Sequence, residues 1–453
     1  MVVEAWLARA AAARGGHAAL DTPTGSWSYA ELLAAAQAGA GELSARGAEP
    51  GSRVAIALPA GLAFAQALHA CLLLGAVAVP VDVRAPARER ERVASDAAVV
   101  VEEPLSQRPR SRPQASAATH DLDAVALLIH TSGTTAAPRE VELTYGNVLW
   151  SAFGSAVALG APPHERWLSA MPLSHVGGIS ILLRSAIAST TAVVHERFDA
   201  ERVLRTLGRE RITLVSLVAT TLERLLDAGL ARSPSLRCAL TGGGPVPARL
   251  LERAREASVP VSLTYGLTEA CSQVTTVPQP AIADPRARAG PPLFCTRVRI
   301  DRDAAGDARK GAGEILVRGP TVAPAAPAPD GWLHTGDLGT LDEQGRLEVV
   351  GRSSETIISG GQNVSPWEVE AVLEAHPDVR EAAVLGAPDP RWGEAVRAIV
   401  VRRADAAVDA RALKAHCARV LASYKVPKQF TFSGGPLPRT RSGKLLRREL
   451  RGR

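Results

Sequence analysis

The chain has 453 residues, 46% hydrophobic and 22% charged. That is enough for a large buried core in at least two domains, and it excludes a disordered, collagen-like or disulfide-stapled chain. The net charge of +6 is spread along the chain apart from the tail "RTRSGKLLRRELRGR", which reads as solvated surface except at Lys444, so no nucleic-acid partner is expected.

In chain order, the start "MVVEAWLARAAAARGG" lacks the basic, apolar and cleavable succession of a signal peptide. The longest apolar region, Val54 to Val81, is long enough for a bilayer. Pro59, Gly61, Gln66, His69 and Gly75 divide it into strand, turn, helix and strand, so a buried βαβ unit is expected and no membrane span. The five cysteines (Cys71, Cys238, Cys271, Cys295, Cys417) form no CxxC pair or metal spacing, as in a reducing cytoplasm. Glu103 to Asp121 is rich in Pro, Ser and Arg and reads as a loop.

The strand "AVALLIH" then runs into "TSGTT", where Thr131, Ser132, Gly133, Thr134 and Thr135 offer hydroxyls and backbone N–H groups that can converge on phosphate oxygens. The loop does not match GxxxxGK[ST] and carries no lysine, so a plain turn remains an alternative. Further strands ("TLVSLV", "RCALTGG", "VPVSLTYG") alternate with amphipathic helices ("DAERVLRTLGRE", "ARLLERARE"). The pattern argues for α/β layers with mainly parallel sheets.

Three glycines follow a strand in "LTGGGPVP" and would let a flat ring approach the backbone. "TYGLTEACSQ" sets Tyr265 and Gly266 before Thr268 and Glu269, a stacking ring followed by a hydroxyl and a metal-directed carboxylate. A Pro/Ala loop covers Gly319 to Gly331, and Asp337 is expected in a turn between glycines. From about Arg352 a compact unit of helices and strands begins, which gives domains of 1–351 and 352–453. Only five of the 52 basic residues are lysine (Lys310, Lys414, Lys425, Lys428, Lys444). A lysine kept in so arginine-biased a chain hints at a need for a compact ammonium.

Taken in order, "TSGTT", "YGLTE", "TGD", "GR", "GGQNVSPWEVE" and "PRTRSGK" resemble the motifs of the adenylate-forming superfamily of acyl-CoA synthetases, adenylation domains and luciferases. The resemblance runs over nearly the whole chain. It implies a large N-terminal α/β domain of layered sheets and helices with a small mobile C-terminal α+β domain. It also implies an acid–thiol ligase using ATP, Mg²⁺ and CoA, in which a C-terminal lysine visits the nucleotide site. The phosphate loop can then work without a lysine of its own.

On the same resemblance Thr131 to Thr135 take the β- and γ-phosphates, Tyr265 stacks on adenine, Gly242, Gly243 and Gly244 line its pocket, and Gly266 is a further nucleotide-binding residue. Thr268 meets the α-phosphate, Glu269 holds Mg²⁺, Asp337 and Arg352 bind ribose, and Lys444 bridges carboxylate and α-phosphate. Gly360 and Gly361 line a thiol tunnel, and Ser354 is the hinge. Two departures stand out. The phosphate loop continues as "AAPRE", so Ala136 and Ala137 lose a flexible residue and a cation while Glu140 adds a negative charge, and the hinge carries Ser354 where Asp or Lys is usual.

"MPLSHVGGISILLRS" occupies the acyl-pocket region and has no Asp for an amino group. With "LTGGGPVP" and "TEACSQV" it looks most like o-succinylbenzoate–CoA ligases of menaquinone biosynthesis. His175 would line or gate the pocket, with Arg184, Ser272 and Gln273 as candidates for the substrate's second carboxylate; a structural role for Arg184 is the alternative. A general aryl or medium-chain acyl-CoA ligase, a carrier-loading adenylation enzyme and a catalytically silent ligand-binding relative remain open. A homo-oligomer is compatible with all of these.

Overall fold

The computed structural model describes residues 1–107, 119–131, 139–279, 288–302, 311–404, 406–440, 443 and 445–451. The Val54–Val81 region forms a strand (Arg53–Ile56), a helix (Leu62–Leu74) and a parallel strand (Val77–Pro80). The helix is apolar on every side because it is buried on every side, and Gly75 ends it in the left-handed conformation at φ 77°. Among the described residues no helix is long and apolar enough to cross a membrane.

This unit belongs to a five-stranded sheet in the order Val99–Val101, Arg53–Ile56, Val77–Pro80, Val125–Thr131, Arg139–Thr144. Its last pair is antiparallel. A second, eight-stranded sheet runs Ser272–Thr276, Val261–Leu267, Cys238–Thr241, Leu214–Leu217, Arg166–Ser169, Thr191–Val194, Ala18–Thr22, Gly25–Ser28. It is parallel except for the hairpin at each edge. The helices Leu62–Leu74, Tyr145–Leu159 and Val176–Ala188 share one apolar core with both sheets.

The expectation of mainly parallel sheets holds for these two and fails for the third. Arg297–Asp301, Gly313–Arg318, Leu333–Leu341 and Leu347–Arg352 form a wholly antiparallel meander. Asp337 lies inside its third strand, not in a turn. The flanking glycines hide the strand: Gly336 sits at φ 69°, and the register slips beside Leu338. Thr119–Asp121, assigned to the loop from sequence, pairs instead with Val2–Glu4.

A 3-10 turn, Ser353–Glu355, leads from the meander into the C-terminal sheet. That sheet orders Gln362–Val364, Ile357–Ser359, Gly393–Arg402 and Val379–Asp389, with Gln429–Ser433 alongside Gly393–Arg402. The helices Pro366–Glu374 and Ala410–Ala418 close a separate core around Val369, Leu373, Val384, Val396 and Leu413. A large α/β N-terminal part and a small α+β C-terminal part result.

Candidate active site

The C-terminal ends of neighbouring parallel strands are where an open α/β sheet exposes its loops. At the end of Cys238–Thr241, a Cβ on Gly242 would stand 2.7 Å from the backbone oxygen of Thr264, and Gly243 takes φ 80°. The glycine loop therefore lies flat on the next strand and leaves open space at Gly244.

That next strand, Val261–Leu267, turns back at Thr268–Ala270 into Ser272–Thr276. A Cβ on Gly266 would fall 1.6 Å from the carbonyl oxygen of Ser272, so only glycine fits. Cys271 and Ser272 follow at φ 51° and 91°, consecutive left-handed positions without glycine. Strain of this kind persists only where the surroundings enforce it. Here Ser151 Oγ donates to the Cys271 carbonyl at 2.6 Å, and Arg184 Nη2 donates to Ser151 Oγ at 3.0 Å.

Three side chains predicted for nucleotide binding converge. Tyr265 Oη donates to Asp337 Oδ2 at 2.9 Å, and Arg352 Nε donates to Asp337 Oδ1 at 2.6 Å. Asp337 is 5% exposed and paired directly across the meander with Arg352. Burial and the adjacent carboxylate hold the Tyr265 phenol well above its usual range, so it stays a donor.

The C-terminal part closes on this place. Gly443 packs against Val218 and Thr220, where a Cβ would meet Thr220 Oγ1 at 3.1 Å. Val218 also touches the glycine loop, 3.3 Å from a Cβ on Gly243. A cavity of about 510 Å³ lined by Gly242 to Gly244, Arg249, Glu374 and Arg439 separates the two parts.

The AMP-binding enzyme model matches residues 7–102 and 93–325, and the AMP-binding enzyme C-terminal domain matches 368–444. The chain belongs to the AMP-binding enzyme family.

Within that family it is 39% identical to the 2-succinylbenzoate–CoA ligase of Bacillus licheniformis, over 93% of this chain and 94% of that one. Among solved structures it resembles o-succinylbenzoate CoA synthetase from Bacillus subtilis. The complex with the acyl-adenylate intermediate superposes with a TM-score of 0.90 at 37% identity, covering 99% of this chain and 98% of that one. The complex with ATP and magnesium ion gives 0.87 at 36% identity, covering 99% and 100%. A double mutant bound to a product analogue, OSB-NCoA, gives 0.72 at 36% identity, covering 99% and 98%.

Not every candidate sits as its motif implied. Arg184 is 6% exposed, lies over the Trp167 ring and has no carboxylate partner among the described residues. It faces a cavity of about 10 Å³ bounded by Ser151, Ser180 and Cys271, room for one water and not for a carboxylate. Burial lowers its pKa to about 10, so it stays a cation at neutral pH. Gln273, also buried, donates from Nε2 to Thr276 Oγ1 at 2.8 Å. His175 is half-buried at the N-cap of Val176–Ala188, where its carbonyl accepts from Gly178 and Ile179. Gly360 and Gly361, at φ 60° and 78°, make the two-residue turn between Ile357–Ser359 and Gln362–Val364. Thr131 ends its strand and donates to the Arg139 carbonyl at 3.3 Å. Ser132, Gly133, Thr134, Thr135, Ala136, Ala137 and Lys444 lie outside the described residues.

Glu140 is engaged by Arg53 at 3.3 Å and His130 at 3.4 Å. The tail is not merely solvated, contrary to its sequence reading. Arg447, its side chain 12% exposed, lies between Glu355, at 3.0 Å, and Glu370, while Arg439 pairs with Glu381. Their acceptors lie 58 to 92 positions away, which no local pattern reveals.

Proposed function

We propose that this chain is an o-succinylbenzoate–CoA ligase that forms acyl-CoA by way of acyl-adenylate, with ATP, Mg²⁺ and CoA as its small-molecule partners. The observation that carries the reading is the Tyr265–Asp337–Arg352 cluster, together with the adjoining Gly242 to Gly244 loop onto which Gly443 is packed.

In the first half-reaction a carboxylate oxygen of the acid attacks the α-phosphorus of ATP. The new P–O bond forms as the bond to the β-phosphate breaks, and pyrophosphate leaves. Tyr265 and the glycine loop hold the base, and Asp337, fixed by its two donors, accepts the ribose hydroxyls. Thr131 to Thr135 bind the outer phosphates and Thr268 the α-phosphate. Lys444 neutralises charge between carboxylate and α-phosphate, where a preorganised donor contributes roughly 3–4 kcal/mol.

No group of three His, Cys, Asp or Glu able to hold a metal occurs among the described residues. A single carboxylate, Glu269, suits a Mg²⁺ held mainly by nucleotide phosphates, where it screens their charge. In the second half-reaction the CoA sulfur attacks the acyl carbon. The thiol proton is lost, the bond to the phosphate oxygen breaks, and AMP leaves.

Alternation of the C-terminal part about Ser354 supplies Lys444 to the first step and removes it for the second. The motif of Gly360 and Gly361 supports their lining the thiol path in the second arrangement. Supporting alternation, the same relative superposes less well in its product-analogue complex, 0.72, than in its acyl-adenylate complex, 0.90, at near-equal identity.

A second carboxylate on the acid fits a pocket with a buried, unneutralised cation beneath it. Arg184 reaches the Cys271–Ser272 turn through Ser151, so its field favours an anionic acyl chain next to Ser272, Gln273 and His175. The test is carboxylate-dependent pyrophosphate release from Mg–ATP, with and without CoA. The acids are o-succinylbenzoate, benzoate, octanoate and an amino acid. Turnover with o-succinylbenzoate alone, completed by CoA, is the expected result. Preference for benzoate or octanoate keeps the mechanism and removes the substrate assignment.

A further inference from the structure

Arg249 stands at the start of the helix Ala248–Glu256, four residues after the glycine loop closes at Pro245. Its Nη2 donates to the carbonyl of Arg380 at 2.9 Å, across the gap between the two parts of the chain, and lies 3.4 Å from Glu223. Arg380 opens an unbroken series of contacts to the lysine loop. The next residue, Glu381, accepts from Arg439 Nη2 at 3.2 Å. Arg439 Nη1 donates in turn to the carbonyl of Gly443 at 3.1 Å, and Gly443 is bonded to Lys444. Arg439 also forms an isolated antiparallel bridge with Leu445. All of these side chains and Gly443 border the same 510 Å³ cavity.

The chemistry of the anchor fits a docking contact that forms and parts. A guanidinium bonded to a main-chain carbonyl gains a charge-assisted hydrogen bond without burying a second charge. Glu223 beside it keeps Arg249 neutralised when the carbonyl is withdrawn. The side chain is 22% exposed, so it belongs to a surface and not to a core.

We propose that Arg249 and Arg439 are positioning residues for adenylate formation: Arg249 docks the 380–381 backbone on the N-terminal part, and Arg439 transmits that position to the loop carrying Lys444. This rests on the ligase reading above and adds to it that the first half-reaction depends on a latch the second half-reaction releases. Arg249 contacts no reacting atom. Its loss therefore acts on one step and leaves the other.

The experiment separates the half-reactions for the wild-type chain, Arg249→Met, Arg249→Lys and Arg439→Met. Pyrophosphate release from Mg–ATP and o-succinylbenzoate reports the first; AMP release from chemically prepared o-succinylbenzoyl-adenylate and CoA reports the second. Arg249→Met is expected to slow the first roughly tenfold, as befits one charge-assisted hydrogen bond, and to leave the second unchanged. Arg249→Lys should recover most of the rate, because one donor suffices for one carbonyl, and Arg439→Met should show the same split. Equal losses in both half-reactions, or no loss in the first, would overturn the latch. A wild-type chain silent with every acid would overturn the ligase reading and the latch with it.

Discussion

The glycine loop at Gly242–Gly244 and the lysine loop bracketed by Arg439 and Arg447 face each other across one cleft and are built by opposite means. The first is fixed by close packing on the next strand: Gly242 sits against both the carbonyl oxygen and the methyl of Thr264, and that strand needs Gly266 against Ser272. The second is held by side-chain ion pairs, Arg439 to Glu381 and Arg447 to Glu355 and Glu370. Backbone packing yields a surface that cannot shift. On the proposed alternation, charged anchors confined to the C-terminal part would let Arg439 and Arg447 travel with it as a unit.

The largest expected effect breaks the lysine side. Lys444→Ala should lower pyrophosphate release by about 10²–10³ while CoA still discharges supplied adenylate. Equal loss of both half-reactions would refute the role given to this lysine.

Arg447→Met tests the anchors. It leaves Glu355 and Glu370 facing each other without their cation, which should cost roughly 3 kcal/mol of C-terminal stability. Burial opposes the Arg447 charge, yet the two carboxylates raise its pKa above the usual guanidinium value. An unchanged denaturation midpoint for this transition would contradict the anchor. On the fixed side, Gly266→Ala forces a methyl into the Ser272 carbonyl. Overpacking of this kind costs roughly 1–3 kcal/mol, and ATP affinity should fall with it. A variant with normal stability and normal ATP affinity would show that the strand yields after all.

The fixed side is also the legible one. Main-chain demands leave glycines in the sequence, so "TGGGP" and "YGLTE", weak signals one by one, become legible when taken in order with the other motifs. The βαβ unit at Val54–Val81 is equally plain, because helix and strand there are short, apolar and punctuated. Asp337 reads as a turn residue because glycines normally mark turns, whereas here they sit inside a bulged strand. Arg249, Arg439 and Arg447 are illegible for a different reason. An arginine among 52 basic residues carries no mark of its partner, and the partners at Arg380, Glu381 and Glu355 lie 58 to 131 positions away.

The smallest effect sharpens the comparison at the boundary itself. Glu374 lines the cavity with Glu370 on its own helix, Arg439 of the same part, and Glu223 across the boundary. Burial first, then Glu370, raises its pKa from 4.5 to about 8; the backbone N–H of Ala382 and the charge of Arg439 pull the other way. A carboxyl whose folded pKa is raised stays protonated in the folded chain after its unfolded counterpart has ionised. Its contribution to stability is complete below about pH 4.5 and is lost as pH rises towards 8. Melting temperature should therefore fall more steeply over this window in the wild type than in Glu374→Gln, which keeps the acceptor for Ala382 and cannot ionise. Because Glu223 adds to the shift from the opposite side, loosening the latch with Arg249→Met should also flatten the slope. Parallel melting curves for wild type and Glu374→Gln would place the titration elsewhere. A slope abolished by Glu374→Gln and untouched by Arg249→Met would confine it to the C-terminal part, making the boundary insensitive to pH.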